Sequence, residues 1–173
     1  MLPDLLHRLG ARRRRERARW RGRRGRRRAV RLGAAERDVE RRTGSWRLAR
    51  ALRLAWESLA PAHRLRLARF WYLASVGGAE RLPRIRLVPG LAVAGADAVA
   101  ACSADGLTIE FRAALVSRLS VEALVMVCRH ELRHAWQVAT GRPTCEADAL
   151  RFGGAWRPEW VAVVEDTIAG RLL

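Results

Sequence analysis

Apolar positions recur with helical spacing over three long stretches of this chain and alternate over short ones between them. From Ser45 to Leu59, Trp46, Ala49, Leu52, Ala55, Trp56 and Leu59 share one helical face, and Ser45 is a good N-cap. Pro61 suits the first position of a second helix, which runs to about Ser75, carries Leu65, Ala68, Trp71 and Tyr72, and ends at Gly77-Gly78. At Arg84 the period changes. Arg84-Ile85-Arg86-Leu87-Val88 alternates like a strand and closes at Pro89-Gly90. Ala98 to Cys102 reads as a weaker strand and Leu107 to Phe111 as another, with Ser103-Ala104-Asp105-Gly106 as the turn of a hairpin.

Ser120 to Gly141 is the third helical stretch. Ser120 caps it, Glu122 sits in the first turn where the helix dipole favours an anion, and Gly141 with Pro143 stops it. Leu124, Cys128, Leu132 and Trp136 repeat every four residues on one side, and Ala123, Met126, Val127 and Val138 cover another. A helix apolar around most of its circumference is a core helix. After it, Thr144 is the expected cap of a helix ending at Gly153-Gly154, and Pro158-Glu159 opens a last one carrying Val161, Val164 and Ile168. Helices, a small sheet and then more helices make an α+β layout.

The core helix carries His130-Glu131-Leu132-Arg133-His134, an H-E-x-x-H. Residues four apart lie on one helical face, so two imidazoles can point at one metal ion, and Glu131, about 100° round the helix, can reach a water on it. A chain of this length meets the bare pattern by accident with odds of roughly one in two hundred, so the helical context carries the reading. Two histidines and a glutamate on a core helix are costly without a partner. Of the four histidines, His7 and His63 lie elsewhere, and His63 reads as a surface residue.

Catalytic zinc usually takes three protein ligands and leaves one position for water. The pattern H-E-x-x-H-x-x-G-x-x-H is excluded, because Gln137 and Thr140 occupy its glycine and third-histidine positions. Cys145, Glu146 and Asp148 remain. From His134 to Gly141 a helix climbs about 10 Å, and residues 142–146 can span up to about 16 Å when extended, enough to return to the metal. Glu146 is preferred as the first carboxylate after the turn, with Ala149 and Leu150 behind it. Asp148 lies about 200° further round and could instead hold a histidine N–H. Gln137, seven residues after His130, is either a ligand-orienting residue or a plain polar residue at the cleft edge. Arg133 and Tyr72 are candidates for oxyanion stabilisation by residue type alone, and Arg133 falls on an outer polar strip.

Charge divides the chain. The net charge is +17, and residues 1–50 hold 19 arginines and five acids against 15 and 12 in the remainder. No lysine occurs, which points to GC-rich coding as one source of the arginines. Residues 1–44 therefore read as a flexible arginine-rich extension, with the folded domain at 45–173. Residues 11–31 could hold nucleic acid or another polyanion, although Trp20 alone is too little for base stacking. Three cysteines without a C-x-x-C fit a reducing, cytoplasmic compartment, and Cys128 reads as a small buried apolar residue. No apolar run is long enough to span a bilayer, and the basic N-terminus is not followed by the apolar core of a secretory signal.

The run from Ile109 to Gln137, with its H-E-x-R-H-x-x-Q, followed by Glu146-Ala147-Asp148-Ala149, resembles small bacterial metallopeptidases of the gluzincin kind. More distantly it is similar to minimal zincin domains that cleave phage repressors. The resemblance covers about residues 84–152. It implies a minimal zincin-like fold: a small antiparallel or mixed sheet on an H-E-x-x-H helix, flanked by helices, one of which supplies Glu146. The eleven-residue link from His134 to Glu146 is short for such families. The expected function is zinc-dependent hydrolysis of a peptide or protein, with Zn²⁺ on His130, His134 and Glu146 and with Glu131 as general base. The rival expectation is a nucleic-acid-binding protein that uses the arginine-rich arm, with a structural or inactive zincin-like domain.

Overall fold

The computed structural model describes residues 34–74, 83–154, 162 and 165–166. Residues 34–43 are helical (α1) and are followed by α2 (Trp46–Ser58) and α3 (Pro61–Ala74). Five strands come next: β1 (Arg84–Val88), β2 (Ala92–Val93), β3 (Ala96–Asp97), β4 (Ala100–Cys102) and β5 (Thr108–Arg112). Then come α4 (Ala113–Arg118), α5 (Val121–Ala139) and α6 (Glu146–Gly153). The class is α+β, as expected. The last expected helix falls outside the described residues except at 162, 165 and 166, which are helical.

The main sheet is mixed, with strand order β1-β5-β4. β1 runs parallel to β5, with Ile85 opposite Ile109, and β4 runs antiparallel to β5, with Ala101 opposite Glu110. β4 and β5 form the expected hairpin, with β4 shortened to three residues and β5 shifted by one. β2 and β3 form a separate antiparallel pair that the sequence pattern did not announce; two-residue strands carry no readable alternation.

α5 is the centre of the domain, packed by α2, α3, α6 and β4. Its N-terminus is built as the sequence implies, with the Ser120 hydroxyl accepting from the Ala123 N–H at 3.2 Å. Ser45 caps α2 in the same way, accepting from the Leu48 N–H. Leu124, Cys128 and Leu132 of α5 are buried beside Leu48, Leu52, Ile109, Phe111 and Leu115 in one apolar core. Burial of such side chains contributes roughly 1.5–3 kcal/mol each.

Two apolar faces differ from expectation. On α2, Ala49, Leu52, Ala55 and Leu59 are buried, but Trp46 is exposed. On α3, Leu67 and Trp71 turn inward, whereas Leu65 and Tyr72 face outward. α3 carries apolar residues on both sides, so its own period does not choose a face. The contact with α5 and the bond from Trp71 to the β4–β5 turn choose it. α1 lies within the stretch read as an extension, yet Val39 is buried in the core and Glu36 pairs with Arg53 of α2 at 3.0 Å.

Candidate metal site on the central helix

His130 and His134 lie one turn apart on α5, their rings edge to face with centroids 4.7 Å apart. The Nε2 atoms of the two rings are 3.1 Å apart. Residues 140–145 reverse the chain and start α6 beside α5, which brings Glu146 back to the histidines. Its Oε1 is 3.1 Å from His130 Nε2 and its Oε2 is 3.1 Å from His134 Nε2. One ligand atom from each of these residues falls within 4.8 Å of the others, so the three could hold a metal ion. The short link is sufficient to close the group.

Of the other third-ligand candidates, Cys145 is exposed and its backbone caps α6. Asp148 is not part of the ligand cluster. It accepts from Arg133 Nε at 2.7 Å and Nη2 at 3.1 Å, and from Gln137 Nε2 at 2.8 Å. The Arg133 guanidinium, with Gln137, holds the Asp148 carboxyl down to about 2. Asp148 therefore does not bond a histidine directly, as the sequence reading had allowed.

Gln137 makes that link. Its Oε1 lies 3.1 Å from His134 Nδ1. With Nε2 donating to ionised Asp148, Oε1 is the end left to accept the Nδ1 proton. His134 then presents the Nε2 lone pair to the Glu146 carboxylate. Two acceptors meeting at 3.1 Å suit a shared cation, and a hydrogen bond to the other ring nitrogen fixes a ligand's tautomer and ring orientation.

Glu131 is 4% exposed. The Cys102 backbone of β4 hydrogen-bonds its carboxylate, and Oε2 has no hydrogen-bond partner among the described residues. Burial pushes its pKa up to about 8, with the nearby Glu146 charge acting in the same direction and the Cys102 bond opposing it. Burial also lowers the His130 pKa, favouring the neutral ring that a metal requires; Glu146 opposes this and His134 reinforces it.

These groups open onto a cavity of about 570 Å³. Ala98, Ala100, Ala101 and Cys102 along the β4 edge form one side, and Val138, Thr144 and Glu146 lie on the helical side. The Cys102 thiol, pushed up to about 12 chiefly by burial, is a neutral wall group.

Arg133 and Tyr72 do not line this cavity. Arg133 is bound to Asp148 and stacks 4.2 Å from the Trp136 ring centroid. His63 is half-buried with its ring 5.0 Å from that of Trp136, so it packs against the back of α5 and is not a plain surface residue. Thr144, expected as the α6 cap, lines the cavity instead. Cys145 is the N-cap, and the Gln137 side chain from α5 bonds its N–H and carbonyl. The pairing of Cys102 with Glu131 had no signal in the sequence, because a backbone donor on a distant strand leaves none.

Fold and site together define an α+β domain with a candidate metal centre on its central helix. Compared with known protein families, curated proteins and solved structures, the chain matches none of them.

Proposed function

We propose that this chain is a zinc-dependent metallopeptidase with a minimal zincin-like fold. The observation that carries the reading is the convergence of His130, His134 and Glu146, with ligand atoms at mutual distances of 3.1 Å. Two ligands at zinc distances of about 2.05 Å in a tetrahedral site stand about 3.3 Å apart. The donor set, two neutral imidazoles and one carboxylate, is that of a catalytic zinc with one position left for water.

When bound, zinc would lower the pKa of a water molecule and polarise the scissile carbonyl. Glu131, which lies beside His130 and lines the cavity, would take the proton of the attacking water and return it to the leaving amine nitrogen. The Cys102 backbone bond holds the carboxylate in place for both transfers. Thr144 lines the cavity, and its hydroxyl is the candidate donor to the developing oxyanion, in place of Arg133 and Tyr72.

The first test is metal content by mass spectrometry for the wild type, His134→Ala and Glu146→Ala. About one zinc per chain is expected in the wild type, lost in His134→Ala and weakened in Glu146→Ala. A wild type that holds no metal after zinc is offered and excess removed would sink the proposal. Glu131→Gln should keep zinc yet lose about 10²–10⁴-fold in hydrolysis of an unfolded protein mixture. Undiminished hydrolysis by that variant would remove the mechanism.

A further inference from the structure

Gln137 is the one side-chain amide in the chain, which has no asparagine and no other glutamine. It is also 2% exposed, on a helix whose other buried positions are apolar apart from Glu131. All four of its hydrogen-bonding positions are used. Oε1 faces His134 Nδ1 at 3.1 Å and accepts from the Cys145 N–H at 3.1 Å. Nε2 donates to Asp148 Oδ2 at 2.8 Å and to the Cys145 carbonyl at 3.2 Å.

We propose that Gln137 is the positioning residue that couples the second and third ligands of the metal site. This rests on the metal reading above. One end of the amide sets the tautomer and rotation of the His134 ring. The same amide grips both backbone groups of Cys145, the residue immediately before Glu146. The Glu146 side chain is 66% exposed, and among the described residues its carboxylate contacts are the two histidines. Its position therefore depends on where its backbone starts, and Gln137 sets that. Asp148, bound in turn by Arg133, holds the amide from behind.

The chemistry of the position explains the residue. An amide accepts through its oxygen while its nitrogen donates two hydrogen bonds, so it can make all four of these contacts, where a hydroxyl has only one proton to donate. Glutamate would supply the acceptor but would set a second negative charge against Asp148. Methionine keeps the length and apolar body and loses all four bonds.

The test is a double-mutant cycle on zinc affinity, measured by competition with a chelating dye. It uses the full chain as wild type, Gln137→Met, Glu146→Ala and the double variant. Gln137→Met should weaken zinc binding by about 10–100-fold. In the Glu146→Ala background the same change should cost distinctly less, because the ligand it positions is gone. A residue that only stabilised the fold would cost the same in both backgrounds. Unchanged affinity, or an equal penalty in both, overturns the inference while leaving the metal site standing. A wild type that binds no zinc overturns both. If Gln137→Met fails to fold by circular dichroism, Asp148→Ala takes its place at a partly exposed position. A several-fold loss that shrinks without Glu146 is then expected, and unchanged affinity overturns the inference.

Discussion

The indole nitrogen of Trp71 donates to the carbonyl oxygen of Gly106 at 2.9 Å, across 35 residues of sequence. The bond joins α3 to the β4–β5 turn, and Ser103 and Ala104 of that turn line the cavity above the histidines. The helix thus holds the wall that faces the candidate site. Trp71→Phe keeps an aromatic ring but leaves the carbonyl without this buried donor. A loss of about 1–3 kcal/mol is expected, read as a shifted urea midpoint. An unchanged midpoint would show that the bond does not hold the turn.

Gly153 lets α6 lie against α5 where the first ligand stands. A Cβ at this position would come 3.2 Å from the His130 Cβ and 3.2 Å from the Met126 carbonyl oxygen. The carbonyl is backbone and cannot swing aside, so Gly153→Ala has to displace α6. The expected result is a destabilisation of about 1–3 kcal/mol, together with weaker zinc binding because Glu146 rides on the same helix. Thermal unfolding with and without zinc checks both. Full zinc affinity in this variant would mean that α6 can move without moving its ligand.

The pH dependence of the metal-free protein should report Glu131. Its carboxyl is pushed from 4.5 to about 8 in the folded chain. Between these values the folded state holds a proton that the unfolded state has released. The stability contributed by the protonated form is therefore complete below about 4.5 and is lost as pH rises through about 8. The total is on the order of a few kcal/mol, at about 1.4 kcal/mol per pKa unit. Glu131→Gln, which cannot ionise, should remove this slope, and a bound cation should shrink it by favouring the carboxylate. Denaturant titrations of chelated wild type and variant from pH 5 to 8 decide it. Parallel stability profiles would contradict the burial argument.

The position of α1 predicts where the chain can be shortened. Val39 is buried and Glu36 pairs with Arg53, so a chain starting at residue 45 loses both. It should be less stable than one starting at residue 34 by about 2 kcal/mol or more, since full burial of a valine contributes roughly 1.5–3 kcal/mol. Equal melting curves would place α1 outside the working core. The polyanion-binding expectation for residues 11–31 adds a separate outcome. Both truncations should lose a DNA affinity that, in the full chain, falls steeply with added salt. No such affinity in the full chain removes that expectation.

The sequence by itself determined the local elements. Ser45 and Ser120 start helices where their hydroxyls accept from N–H groups that have no carbonyl partner, and that signal needs no tertiary context. The spacing of His130 and His134 put two rings on one face because helix geometry is fixed at 3.6 residues per turn. Chain length bounded what the short link can reach and left Cys145, Glu146 and Asp148, with Glu146 preferred as the first carboxylate after the turn. Contacts between elements were decided only by the tertiary structure. Leu65 and Leu67 are the same residue type two positions apart, yet one is exposed and the other buried, because α3 meets α5 on one side only. Asp148 could have faced a histidine, but the nearby Arg133 and Gln137 offered better donors. The Cys102 backbone that holds Glu131 belongs to a strand nearly thirty residues earlier, and an N–H is the same in every residue but proline. Periodicity and caps report energies internal to one element. Which face packs, and which donor meets which acceptor, depends on free energies shared between elements that only the assembled chain brings together.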